Sequence, residues 1–206
     1  MAAGLAAAPA LAQTPPAQPA PHPAPAAHAW QRFAEAHEVQ LRDVAAIVRI
    51  TPENRTDIAL AIANGGPLRG PEVRVRGERL LVDGKLRRQI RSCRVRGQDF
   101  EVTTARNGRL SGGELPVIDL RVPQSAVVHA GGAVRLHMGP SQSARVRLDG
   151  CGEADIERVA DAADIAVAGG PDVRLYEAGT ATVSVAGAGD VVLGVVREGL
   201  TASIAG

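Results

Sequence analysis

The sequence has almost no aromatic residues: one Trp, one Tyr and two Phe, 2% of 206 positions. That scarcity removes the row of rings on which single-stranded nucleic acid would stack, so no nucleic-acid partner is expected. It also leaves the acidic residues without an obvious ring platform for sugars, and it suits a narrow core of small aliphatic layers. Long apolar runs are missing as well. None approaches the roughly 18 residues of a membrane-spanning helix, so the mature chain is expected to have no transmembrane helix. Cys93 and Cys151 are the only thiols, far apart and without clustered histidines, which makes a zinc site improbable. There is no G-x-S-x-G elbow for a nucleophilic serine and no G-K-[ST] to close a phosphate loop. No catalytic, cofactor-binding or metal-binding residue is assigned, and no cofactor is expected.

What the chain does contain is a short phrase repeated at nearly constant spacing. It reads Val146-Arg-Leu-Asp-Gly150, Ile165-Ala-Val-Ala-Gly169, Val183-Ser-Val-Ala-Gly187 and Ala202-Ser-Ile-Ala-Gly206, with glycines 19, 18 and 19 residues apart. Such a period marks a solenoid, in which each coil needs its neighbours to bury its apolar side. Within the phrase, aliphatic and small residues alternate with the period of a strand that has one buried face. A second strand follows each turn: Asp172-Val-Arg-Leu175 matches Asp190-Val-Val-Leu193, and Asp155-Ile156 begins the equivalent piece one coil earlier. The turn glycines Gly150, Gly169, Gly187 and Gly206 supply backbone angles that other residues resist. Aliphatic residues do not recur every six positions, which argues against a left-handed hexapeptide helix. The expected fold is all-β, a single-stranded right-handed parallel β-helix over residues 39–206, irregular between residues 65 and 113 and regular from 145 to 206.

The N-terminal residues differ in kind. Ala2–Ala12 is small and apolar, and Ala10-Leu-Ala12 is an A-x-A pattern, so residues 1–12 are expected to be a signal peptide cleaved after Ala12. No Lys or Arg precedes the stretch, so the true start is expected upstream of Met1. Residues 13–29 hold Pro15, Pro16, Pro19, Pro21, Pro23 and Pro25 among alanines, an extended linker that cannot fold on itself. Trp30, Phe33, Ala34 and His37 fall at helical spacing, and residues 30–38 are expected to form a capping helix over the first coil. At the other end, Gly206 closes the first strand of a new coil. Either another copy pairs there, giving self-association at an open edge, or the natural chain continues; continuation is the favoured reading.

The overall balance is 45% hydrophobic, 22% charged and net charge +1, but charge is uneven along the chain. Residues 68–110 carry 12 Lys/Arg against 5 Asp/Glu, and residues 111–206 carry 7 against 12. The basic stretch could serve an anionic envelope polymer, although alternation of Arg74, Arg76, Arg94 and Arg96 with Val73, Val75 and Val95 reads more simply as solvated strand faces. The acids Asp149, Glu153, Asp155, Glu157, Asp161 and Asp164 could serve a carbohydrate-active β-helix enzyme, but a solvated face is again the simpler reading. Gly187-Ala-Gly-Asp190 only faintly matches a calcium nonapeptide, without tandem repetition. Cys93 and Cys151 form a disulfide if the chain is exported, the alternative being two buried thiols.

The x-V-x-V-x-G-x-G-D-V phrasing, at Val183–Leu193, Ile165–Leu175 and Val146–Ile156, resembles the bacterial family described as putative auto-transporter adhesin, head GIN domain. Leu41-Arg-Asp-Val-Ala-Ala-Ile-Val-Arg-Ile50 is similar to that family's first coil. The resemblance implies an exported right-handed β-helix of the periplasm or cell surface of a Gram-negative bacterium, with no assigned catalytic residues. The repeat, the A-x-A site, the Pro/Ala linker and the missing catalytic groups make a non-enzymatic scaffold or adhesin-like binding module the leading expectation, with an envelope polysaccharide or protein as partner.

Overall fold

A computed structural model describes residues 29–205, and among them the chain is all-β. The signal peptide, its cleavage after Ala12, most of the linker and Gly206 lie outside the described residues.

Hydrophobic alternation sets the longest strands. β2 (Glu38–Glu53), β10 (Ser125–Met138), β11 (Ser143–Gly187) and β12 (Val191–Ala205) pair in parallel, in the order β2-β10-β11-β12. The pairing repeats the sequence period. β10 meets β11 at a constant 18-residue register, from Ser125–Ser143 to Met138–Ile156. β11 meets β12 first at 18 residues (Val173–Val191) and then, after a bulge near Gly199, at 19 (Val183–Ala202). Residues one coil apart therefore stack in columns. Val128, Val146 and Ile165 are buried, as are Leu136, Ala154 and Val173, so the core is a set of aliphatic ladders.

A glycine column bends these coils. Gly150 and Gly169 have φ of +124° and +92°. A Cβ on Gly150 would lie 2.1 Å from the Gly132 carbonyl oxygen, and one on Gly169 would lie 2.6 Å from that of Gly150. Gly187 continues the column, and so does Gly132 before it. The 18-residue register thus already holds from Ser125, upstream of the phrase at Val146.

The N-terminal half is built differently. β2 precedes β9 (Val117–Pro123) and β10 in the chain yet lies between them in the sheet. It pairs in parallel with β5 (Arg79–Asp83) through Glu38–Arg42 and with β9 through Ile47–Glu53. A bulge at Arg42–Asp43, with Asp43 at φ +50°, absorbs the register change against β10. β4 (Glu72–Arg76) and β5 form a hairpin. β6 (Ile90–Arg96), β7 (Asp99–Thr104) and β8 (Gly108–Ser111) form a separate antiparallel sheet, followed by one 3-10 turn at Gly112–Glu114. That sheet has its own small core, in which Phe100, Val102 and Leu110 pack with Ala45 and Ala133.

The expected capping helix over residues 30–38 is absent. β1 (Gln31–Phe33) instead pairs antiparallel with β3 (Ile58–Ala63), which in turn pairs with β9. A helix of two turns has little intrinsic stability, whereas a short strand supplies backbone partners to an otherwise open edge. Phe33 packs against the main core, while Trp30 lies over the Arg121 guanidinium at 4.4 Å. Asp57 fastens this edge by accepting hydrogen bonds from Arg32 at 2.8 Å and Arg55 at 3.0 Å.

Candidate functional site

The outward faces of the coils carry the polar chemistry, and stacking decides which groups meet. The strand period sends Glu153, Asp155 and Glu157 to one side of their coil while Ala154 and Ile156 fill the core. Each acid then meets a group one coil away. Glu153 lies 3.4 Å from Arg135 of the preceding coil. Arg174 of the following coil donates to Asp155 at 3.0 Å, and His137 Nε2 is 3.2 Å from Glu157 Oε1. Around the bend, Gln142 donates to Asp161 at 2.6 Å and Arg145 to Asp164 at 3.1 Å. Arg197 pairs with Glu177 in the same way. Five of the six candidate acids are thus engaged between coils. The sixth, Asp149, sits opposite Gly131 and does not join them.

Three successive coils enclose a solvent-open groove of about 480 Å³, lined by His137, Asp155, Glu157, Arg158, Tyr176 and Glu177. Tyr176, the only tyrosine, is half exposed. The Arg174 guanidinium faces both its hydroxyl and Asp155. Tyr176 lies one coil beyond the acids, so no local sequence pattern connects it with them. The 18–19-residue offset, applied to Glu157, was the signal that would have found it.

The basic stretch is divided between a cluster around Asp83 and exposed arginines in and around β6. Asp83 is buried and draws in Arg42, Arg74 and Lys85. Burial opposes its ionisation, yet bonds from Arg42 and from the backbone and side chain of Lys85 outweigh it and hold the carboxyl at about 2. Arg94 and Arg96 project from edge strand β6, opposite Glu101 and Asp99 of β7. Arg87, Arg88 and Arg91 are exposed around the loop into β6, and among the described residues they make no ion pair. Arg76 is exposed at the β4–β5 turn.

Cys93 and Cys151 are joined by a disulfide, S–S 2.16 Å, Cα–Cα 6.1 Å. It fixes β6 to the glycine bend at Gly150–Gly152. Arg135 strengthens this contact by donating to the Gly97 carbonyl at 3.0 Å.

No group of three His, Cys, Asp or Glu placed to hold a metal ion occurs among the described residues. The Asp190 amide of the calcium-like phrase donates to Asp172 at 3.3 Å. Among the same residues no helix is long and apolar enough to cross a membrane.

Residues 46–194 match the family model described as putative auto-transporter adhesin, head GIN domain. Two solved structures are similar over most of the chain. One is a putative cell adhesion protein from Clostridium sporogenes, 9% identical, covering 85% of this chain and 100% of that chain at a TM-score of 0.31. The other is a putative adhesin from Parabacteroides merdae, 10% identical, covering 86% of this chain and 96% of that chain at a TM-score of 0.25. No curated protein matches the chain.

Proposed function

The chain belongs to the family of putative auto-transporter adhesins with a head GIN domain, and on that premise we propose that it is a non-enzymatic, adhesin-like binding module of the bacterial envelope. Its coils form a single-stranded right-handed parallel β-helix in this reading, supported by the 18-residue register of β10 on β11 and by the right-handedness of nearly all parallel crossovers. The protein is exported to the periplasm or cell surface, where an oxidising compartment sustains the Cys93–Cys151 bond.

The observation that carries the reading is the state of the acids. A glycosidase needs one carboxyl held protonated as general acid near a second. Here Glu153, Asp155, Glu157, Asp161 and Asp164 each meet a guanidinium, an imidazole or an amide one coil away. That arrangement holds a fixed pattern of donors and acceptors on a rigid face, which suits recognition.

Beads coated with the protein should adhere to cell-envelope or matrix surfaces above albumin-coated controls. Adhesion should survive simultaneous replacement of Asp161 and Asp164 by Ala, since both lie away from the groove. Adhesion no greater than that of the controls would overturn the proposal.

A further inference from the structure

We infer that the groove at Tyr176 is a binding site for an uncharged pyranose oligosaccharide. The inference rests on the binding-module reading above and names its ligand class.

Three features select this chemistry. The first is an exposed ring. Tyr176 lies between the paired positions Leu175–Leu193 and Glu177–Val195, and the residue opposite it is Gly194, whose missing side chain leaves the phenol uncovered from the next coil. A Cβ there would lie 2.2 Å from the Tyr176 carbonyl oxygen, so the position stays bare for packing reasons as well. An exposed ring face offers an apolar surface to the C–H face of a sugar, a contact worth more than its area alone.

The second feature is the set of planar polar groups beside the ring. Carboxylates accept and guanidiniums donate in paired geometry, which matches vicinal hydroxyls. Asp155 and Arg174 are already fixed against each other at 3.0 Å, and His137 against Glu157 at 3.2 Å, so little side-chain freedom remains to be lost on binding. Successive coils repeat the pattern at about 4.8 Å, a spacing that serves a linear polymer of repeating units.

The third feature is charge balance. The lining carboxylates Asp155, Glu157 and Glu177 each already face a partner, Arg174, His137 and Arg197 in turn, so a polyanion meets acids at the wall and a polycation finds those acids already engaged. Apart from Tyr176 the lining has no apolar side chain, and a peptide would lack the pockets that its anchor residues need. The volume falls within the range of small-ligand sites.

The single tyrosine provides the readout. With ring-labelled tyrosine, the protein shows one set of Tyr ring resonances by NMR. It should be titrated with cellotetraose, chitotetraose, xylotetraose and mannotetraose, and separately with polygalacturonate and heparin. At least one neutral oligosaccharide should shift the ring resonances saturably. Tyr176→Ala should weaken that binding about ten-fold or more, measured calorimetrically, while Tyr176→Phe should stay within about two-fold because stacking needs the ring and not the hydroxyl. No saturable shift with any of the four neutral sugars, or shifts with the two polyanions alone, would overturn the inference. Bead adhesion that persists in that case would leave the binding-module reading standing, so the two failures are distinguishable.

Discussion

The two halves of the molecule solve one problem by different means. Between Ser125 and Ala205 each coil is held by the one before it: aliphatic residue on aliphatic residue, glycine on glycine, acid on cation. Between Glu38 and Pro123 the chain crosses its own stack. β2 lies between strands that follow it in sequence, and β6–β8 stand on the flank with a small core of their own. Repetition lets many weak local contacts act together. An irregular arrangement instead depends on a few specific fasteners: the disulfide, the buried Asp83 and the Asp57 cluster at the β1 edge.

The strongest break in that comparison is removal of the disulfide. It joins positions 58 residues apart, for which the chain-entropy model gives about 4 kcal/mol. Replacing both cysteines by Ala should lower stability by that order in chemical denaturation. Hydrogen exchange should rise first in β6–β8 while β10–β12 stay protected, and equal loss of protection in both regions would merge what is here kept apart.

Glycine offers a matched pair next. Gly150 and Gly77 both have positive φ, but only Gly150 abuts backbone, whereas nothing lies within 4 Å of a Cβ on Gly77. Gly150→Ala should cost about 3 kcal/mol, combining strain with a clash. Gly77→Ala should cost only about 1 kcal/mol. Equal costs in thermal unfolding would show that conformation alone matters and stacking does not.

Asp83 tests the fasteners of the irregular half. Asp83→Asn should cost about 2 kcal/mol by removing the buried charge that Arg42, Arg74 and Lys85 share. Its folded pKa lies at about 2, below the ordinary 3.8. The unfolded chain therefore binds the proton first, and this contribution is complete above pH 3.8 and disappears as pH falls toward 2. Urea midpoints across that window should slope less in the variant than in the native protein.

His129 gives a smaller, opposite-half counterpart. Burial and then Arg147 lower its pKa below the ordinary 6.5. The unfolded imidazole takes up its proton before the folded one, so stability falls as pH drops below 6.5. His129→Gln should flatten urea midpoints between neutral pH and the acid side of that value. The smallest effect belongs to a single exposed ladder pair: Arg145→Ala should cost about 0.5 kcal/mol or less.

The same contrast explains what could be read from sequence. The long parallel strands and their offset were legible because their side chains obey a local period, and the turn phrase gave the spacing that sets Gly169 against Gly150. Val128-His-Ala-Gly-Gly132 carries the same phrase one coil earlier, but its Ala and extra Gly obscure it. The place of β2 had no local signal, since its alternation fits either side of β9 equally well. Residues 30–38 misled because a helical spacing of four residues is short enough to arise in a strand and turn. The acids were recognised individually, yet their partners Arg174, Arg135 and His137 follow only from register, and so does the Tyr176 groove. Cys93 and Cys151 could be named as a possible pair, while the contact that joins them depends on where β6 docks.

The central claim is that the ladder face binds without cutting. The most direct measurement incubates the intact protein with soluble cellulose, xylan, mannan and chitin oligomers and follows retained ligand and newly formed reducing ends in the same samples. The account predicts retention with no increase in reducing ends over protein-free controls. A rise in reducing ends that is abolished by Asp155→Asn or Glu157→Gln would contradict it and make the groove an active site.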